Sequence, residues 1–218
     1  AAVEEGRNIY KTMKRVILYL FSTSTGEALA IIGALAAGYP LLILPAQIIW
    51  LNFVTDGFLD VALAMEPKEK RLLAGNFERP KKYVVDKLMG QRMILMALPM
   101  ALGAIYLFNQ YFRDDLNKAW TISLTTLAVF QWFNAWNCRS ERKSLLRMNP
   151  LTNKFLVGAT LIVIALQLLA VYNPLLQRFL HTVPLALADW LTIITVALSI
   201  IFLEEVRKFF YRRTIINN

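Results

Sequence analysis

The sequence predicts an all-α, polytopic six-helix transmembrane bundle with both termini cytoplasmic. Three observations carry that expectation. Of 218 residues, 57% are hydrophobic and 18% charged, with a mean hydropathy of +0.46, whereas a soluble domain is about 25% charged. Six apolar stretches are long enough to cross a hydrocarbon core that takes about 20 helical residues. All but three of the 24 Lys and Arg fall in segments emerging on one side of those stretches.

The spans are expected at 16–38, 41–65, 92–108, 119–136, 155–172 and 185–203. Each must be helical, because backbone groups in lipid have to satisfy one another, and runs this long exceed the roughly 10 residues of a barrel strand. Tyr39-Pro40 is read as a tight hairpin joining the first two spans. Pro45 and Pro99 are read as starting or kinking helices, and Gly26, Gly33 and Gly38 as close-packing positions. The organisation expected is a cytoplasmic stalk extension at 1–15, a helix hairpin carrying the polar site at 16–65, and a cytoplasmic loop at 66–91. Four supporting helices follow at 92–203, then a cytoplasmic tail at 204–218.

Direction follows from charge, since short loops rich in Lys and Arg stay cytoplasmic. Arg7, Lys11, Lys14 and Arg15 precede the first span. Lys68, Lys70, Arg71, Arg79, Lys81, Lys82, Lys87 and Arg92 follow the second. Arg139, Arg142, Lys143, Arg147 and Lys154 follow the fourth, and Arg207, Lys208, Arg212 and Arg213 close the chain. Only Arg113, Lys118 and Arg178 fall on the other side. The net charge of +9 is thereby a topology signal, leaving no basic stripe for nucleic acid. Trp120, Trp190, Tyr39, Tyr106, Tyr111 and Tyr172 are placed as interface anchors. The mixed charges from Glu66 to Lys87 read as a solvated loop, and His181 as an exposed outer-loop residue. Cys138, the one cysteine, excludes a disulfide framework and is read as a small apolar filler. The chain opens on Ala1-Ala2-Val3 without the pattern of a signal peptide, as expected of a piece of something longer.

Three acids lie where lipid disfavours them: Glu27 in the first span, Asp56 and Asp60 in the second. A lone acid at mid-membrane costs at least ~2.5 kcal/mol, so each needs a partner, a proton or a cation. Ser24 and Glu27 share a helix face, as do Asn52, Thr55 and Asp56, with Asp60 one turn beyond. In the fourth span Gln131 and Asn134 either glue helices together or turn carbonyl oxygens inward. Carboxylate, amide and hydroxyl oxygens, without imidazole or thiolate, suit a hard cation such as Ca²⁺. Gly57, directly after Asp56, would let the helix loosen at that depth, which is tolerated only where backbone lines a cavity.

The run Glu4-Glu5-Gly6-Arg7-Asn8-Ile9-Tyr10-Lys11, then Ser22-Thr23-Ser24-Thr25-Gly26-Glu27, Trp50-Leu51-Asn52-Phe53-Val54-Thr55-Asp56-Gly57 and Glu66-Pro67, resembles the C-terminal membrane half of type II P-type cation ATPases, the calcium pumps most closely. Phe133-Asn134-Ala135-Trp136-Asn137-Cys138-Arg139-Ser140-Glu141 resembles the Asn-Ala-x-Asn-x-x-Ser-Glu signature ending that family's eighth helix. The resemblance implies that the six spans are helices five to ten and that residues before about 16 are stalk. It implies Ca²⁺ ligands at Glu27, Asn52, Thr55 and Asp56, with Asp56 shared between sites. Ser24 stands where two-site calcium pumps have Asn and Gln131 where they have Glu, so one calcium per cycle is the plainer inference. Gln131 also resembles the glutamine of sodium pumps and plasma-membrane calcium pumps, which keeps Na⁺ open. Asp60 has no acidic counterpart in the calcium pumps, and Leu59 replaces their usual Pro.

The family's Asp-Lys-Thr-Gly phosphorylation motif is absent from these 218 residues. The resemblance therefore implies a chain that hydrolyses no ATP alone, with ATP and Mg²⁺ belonging to other domains of the pump. Its expected partners are helices one to four, the actuator, phosphorylation and nucleotide domains, and the lipid bilayer, with the plasma membrane as expected location. The competing readings are a standalone channel or secondary carrier, and a structural module whose acids are incidental.

Overall fold

The computed structural model describes residues 2–67, 85–141 and 143–216. Of the sequence-assigned loop charges, Lys68, Lys70, Arg71, Arg79, Lys81, Lys82 and Arg142 lie outside the described residues. Among the described residues the architecture is all-helical, without strands. The helices are α1 (Ala2–Ala36), α2 (Pro45–Trp50), a π-helical segment (Leu51–Asp56), α3 (Gly57–Ala64), α4 (Lys87–Tyr111), α5 (Leu116–Cys138), α6 (Lys154–Tyr172), α7 (Pro174–Leu180) and α8 (Leu187–Ile216).

Local chemistry sets the helix starts. Pro45 begins α2, where its missing N–H costs nothing. Asp86, Asp115, Asn153 and Asn173 cap α4 to α7 by accepting backbone N–H groups of the first turn. Pro99 is accommodated inside α4. The short α7 was not anticipated, nor was the length of the first connection, which occupies 37–44 rather than two residues. Gly38 sits in that connection at φ +79° with open space around its Cα. It serves the turn and is not the packing position expected of it. Gly26 and Gly33 do let α4 approach α1, against Met100 and Ile105 respectively.

Among the described residues five helical stretches are long and apolar enough to cross a membrane: Val3–Ala36, Pro45–Ala64, Lys87–Tyr111, Lys154–Tyr172 and Leu187–Arg213. The remaining predicted span corresponds to α5, whose 23 residues are long enough but whose Thr, Ser, Asn and Gln content lowers its hydropathy. That composition fits its place. α5 is buried on nearly every side, packed against α1, α4 and α8, so its surroundings are protein rather than lipid.

The two ends of the bundle differ in chemistry. At one end Lys14 pairs with Asp86 at 2.9 Å, Arg92 with Glu204 at 2.7 Å, and Arg207 with Glu204 at 2.7 Å. Arg92 and Lys208 are buried, so these sequence-assigned cytoplasmic cations are held in ion pairs. Glu66, read as part of a solvated loop, is corrected: its side chain is 7% exposed and paired with Arg139. At the other end Tyr39, Phe108 and Phe112 form an aromatic cluster. There Trp120 donates to the Leu41 carbonyl, and Trp190 donates to the Tyr172 hydroxyl. His181 is exposed and ends α7 in a left-handed conformation, and Cys138 is buried.

Candidate cation site

α1 and the second helical stretch face each other through their acids. Glu27 is 6% exposed, Asp56 3%, and Gln131 fully buried. Among the described residues no Lys or Arg pairs with Glu27, Asp56 or Asp60. The carboxylates are instead met by neutral donors. Gln131 Nε2 donates to Glu27 Oε1 at 2.6 Å, and Asn52 Nδ2 donates to Glu27 Oε2 at 3.4 Å. Tyr19 Oη donates to Asp56 Oδ1 at 2.7 Å, and Thr23 Oγ1 donates to Asp56 Oδ2 at 3.2 Å.

The expected residues are therefore not equivalent. Glu27 is bonded to both Gln131 and the exposed Asn52. Asp56 lies beside them with its own donors from α1, and Thr55 is buried on the same π-helical segment. Ser24 is exposed, and no hydrogen bond joins it to the cluster. Asn134 donates to Ser22 Oγ at 2.7 Å and so ties α5 to α1. Asp60 is half-buried, and its carboxylate accepts the neighbouring Val61 N–H. Tyr19 and Thr23 were missed as site residues. Their signal was present, since Tyr19, Thr23 and Glu27 recur at i, i+4 and i+8 and so form one stripe.

The backbone contributes as well. Leu51–Asp56 is wound as a π helix, whose i to i+5 bonding widens the helix and occurs mostly at functional sites. Gly57 closes this segment with an ordinary helical φ of −58°. A Cβ there would meet only the Asn52 carbonyl at 3.9 Å. The loosening therefore precedes Gly57 and does not depend on its conformational freedom. Gln131 Oε1 is a buried acceptor without a partner, and such atoms cost about 1–3 kcal/mol unless something satisfies them. Among the described residues no three His, Cys, Asp or Glu side chains are grouped to hold a metal. A cation here would depend on two carboxylates supplemented by amide, hydroxyl and backbone oxygens, a donor set for a hard ion.

A family model described as "Cation transporting ATPase, C-terminus" matches residues 40–210. A calcium-transporting ATPase of Bacillus subtilis (strain 168) is 35% identical over 197 residues, covering 89% of this chain and 22% of that protein. A calcium-transporting ATPase of Plasmodium falciparum (isolate K1 / Thailand) is 29% identical, over 97% of this chain and 21% of that protein. The chain thus spans about a fifth of the length of the relatives it matches.

Proposed function

The chain belongs to the P-type cation-transporting ATPase family as its C-terminal membrane region, and from that membership and the geometry of Glu27 and Asp56 we propose that it carries much of the transport site of a calcium pump. The observation that carries the reading is the pair of buried acids from neighbouring helices, met by neutral donors beside a π-helical segment. Uncompensated carboxylates at such depth are costly, and a dehydrated cation would supply the missing charge. Ca²⁺ is favoured by the oxygen-only donor set and by the names of the relatives. Glu27, Asn52, Thr55, Asp56 and Gln131 would ligate directly, and Ser24 would join through an open side of the bundle that helices outside this chain complete.

The transport topology we propose has six spans, α5 being the protein-surrounded one, with the ion-paired end of the bundle cytoplasmic together with both termini. The remainder of the pump would supply the phosphorylation, nucleotide and actuator domains, in which ATP and Mg²⁺ act. Displacement of the α1 stalk on phosphorylation would then alternate access to Glu27 and Asp56, in the plasma membrane. Gln131, neutral where a second acid would favour two divalent ions, is the observation that keeps a Na⁺ pump as the second reading. Ion dependence of phosphoenzyme formation in the full-length pump separates them. Stimulation by micromolar Ca²⁺ is expected, and dependence on Na⁺ instead would overturn the calcium assignment.

A further inference from the structure

The stretch carrying Asn52, Thr55 and Asp56 is not kept in place by its own backbone alone. Over Leu51–Asp56 the wider π winding replaces the regular α rungs, so the rotation of the eight residues of α3 relative to α2 is set less tightly than in a continuous α helix, and contacts at the far end of α3 bear on it. A buried cluster supplies them. Arg139 Nε donates to Glu66 Oε2 and Oε1 at 3.0 and 3.2 Å, and its Nη2 donates to Glu66 Oε1 at 2.9 Å and Thr152 Oγ1 at 2.7 Å. Asn153 Nδ2 donates to the Ala62 carbonyl at 3.0 Å and to Glu66 Oε2 at 2.7 Å, while its Oδ1 caps the start of α6 by accepting the Leu156 N–H. The Arg139 side chain is 0% exposed.

We propose that Glu66, Arg139 and Asn153 form a clamp that fixes the rotation of α3 and thereby sets cation affinity at Asp56 without touching the ion. They are positioning residues, and the inference rests on the transport reading above. α3 is just over two turns long, with Asp56 directly before it and the clamp directly after it, so both ends turn as one body. A carboxylate about 5–6 Å from the helix axis moves about 1 Å for a rotation of about 10°. A misplacement of about 1 Å can cost a site up to about 10²-fold in activity. The opposite end is held independently, by Gln47 Nε2 donating to the Leu180 carbonyl at 2.8 Å and Trp50 Nε1 donating to Gln167 Oε1 at 3.2 Å. Release of the clamp would therefore leave α2 seated and let α3 turn.

The test uses the full-length pump in native membranes, reading half-saturating Ca²⁺ and the maximal level of phosphoenzyme. Removing one partner would strand a buried charge, whereas replacing both by apolar groups is often tolerated, so the main variant is E66M/R139L. Its half-saturating Ca²⁺ is expected to rise about tenfold or more with the maximal level retained. Arg139→Lys should fall between, because Lys restores charge without the two-pronged geometry. An unchanged half-saturation, or a lower maximum at unchanged half-saturation, overturns the clamp. If E66M/R139L does not accumulate, Thr152→Val removes the acceptor of Arg139 Nη2 together with the hydroxyl's own bond to the Asn149 carbonyl, loosens Arg139 in the clamp and should still raise the half-saturation; no rise there overturns the clamp equally. An unmodified pump whose phosphoenzyme ignores Ca²⁺ would defeat the calcium reading, and the clamp with it. A responsive pump with indifferent variants defeats the clamp alone.

Discussion

Glu27→Gln separates charge from shape at the centre of the site. The carboxylate accepts N–H groups from Gln131 at 2.6 Å and Asn52 at 3.4 Å, and beside it Gln131 Oε1 is buried without a partner. An amide at position 27 keeps the size of the side chain, and its new N–H₂ group can donate to Gln131 Oε1 once the two amides rotate to match. The fold should be unharmed or gain about 1 kcal/mol, the net value of one added hydrogen bond. The cation, however, loses a unit charge at contact distance. A unit charge and a divalent ion 4 Å apart interact by about 8 kcal/mol at an effective dielectric constant of 20. Even after the lower desolvation cost of an amide, a loss of about 3 kcal/mol in ion binding is expected, or roughly 100-fold in apparent affinity. The assay is Ca²⁺-dependent phosphoenzyme formation by the full-length pump, alongside thermal inactivation of the same preparation. A variant as heat-stable as the parent that still saturates at nearly the same Ca²⁺ would refute the placement of Glu27 at the ion.

Tyr19→Phe removes the hydroxyl that donates to Asp56 at 2.7 Å and should lower stability by about 1–3 kcal/mol, read as a lower inactivation temperature. Gly103→Ala places a Cβ within 2.8 Å of Phe130 and 2.9 Å of Val196, wedging α4 away from α5 and α8 at a cost of about 1–3 kcal/mol. Gly90→Ala meets nothing within 4 Å inside α4 and should stabilise by about 0.5–1 kcal/mol, so the two glycine variants should move inactivation temperature in opposite directions. Gly57→Ala should leave half-saturating Ca²⁺ within about twofold, as for a substitution that breaks no contact. A large loss there would mean that the glycine does set the π winding.

Long apolar runs made most of the fold readable in the sequence, because lipid leaves the backbone few options. The acids at 27 and 56 were readable for the same reason, being costly where they stand. What escaped was whatever depends on contact between distant segments. Glu66 looks like any loop acid until Arg139, more than seventy residues later, closes on it. Gln167, in a span that reads as pure hydropathy, bridges Trp50 and Thr125, and one polar residue in an apolar run does not say what it faces. Gly38 and Gly26 look alike in sequence, yet one makes a turn and the other a close approach. The π segment has no composition of its own, and Gly57 drew attention to its end rather than its cause.

α1 runs unbroken for 35 residues, about 52 Å at 1.5 Å per residue. It carries Tyr19, Ser22, Thr23 and Glu27, so every hydrogen bond described from it to Asp56, Asn134, Asn52 and Gln131 is anchored to one stiff rod. A pull on its Lys14 end has no hinge in which to dissipate, and these bonds would be loaded together. The two acidic side chains would then lose or regain their partners in a single concerted event, giving the site two states rather than a graded series between them.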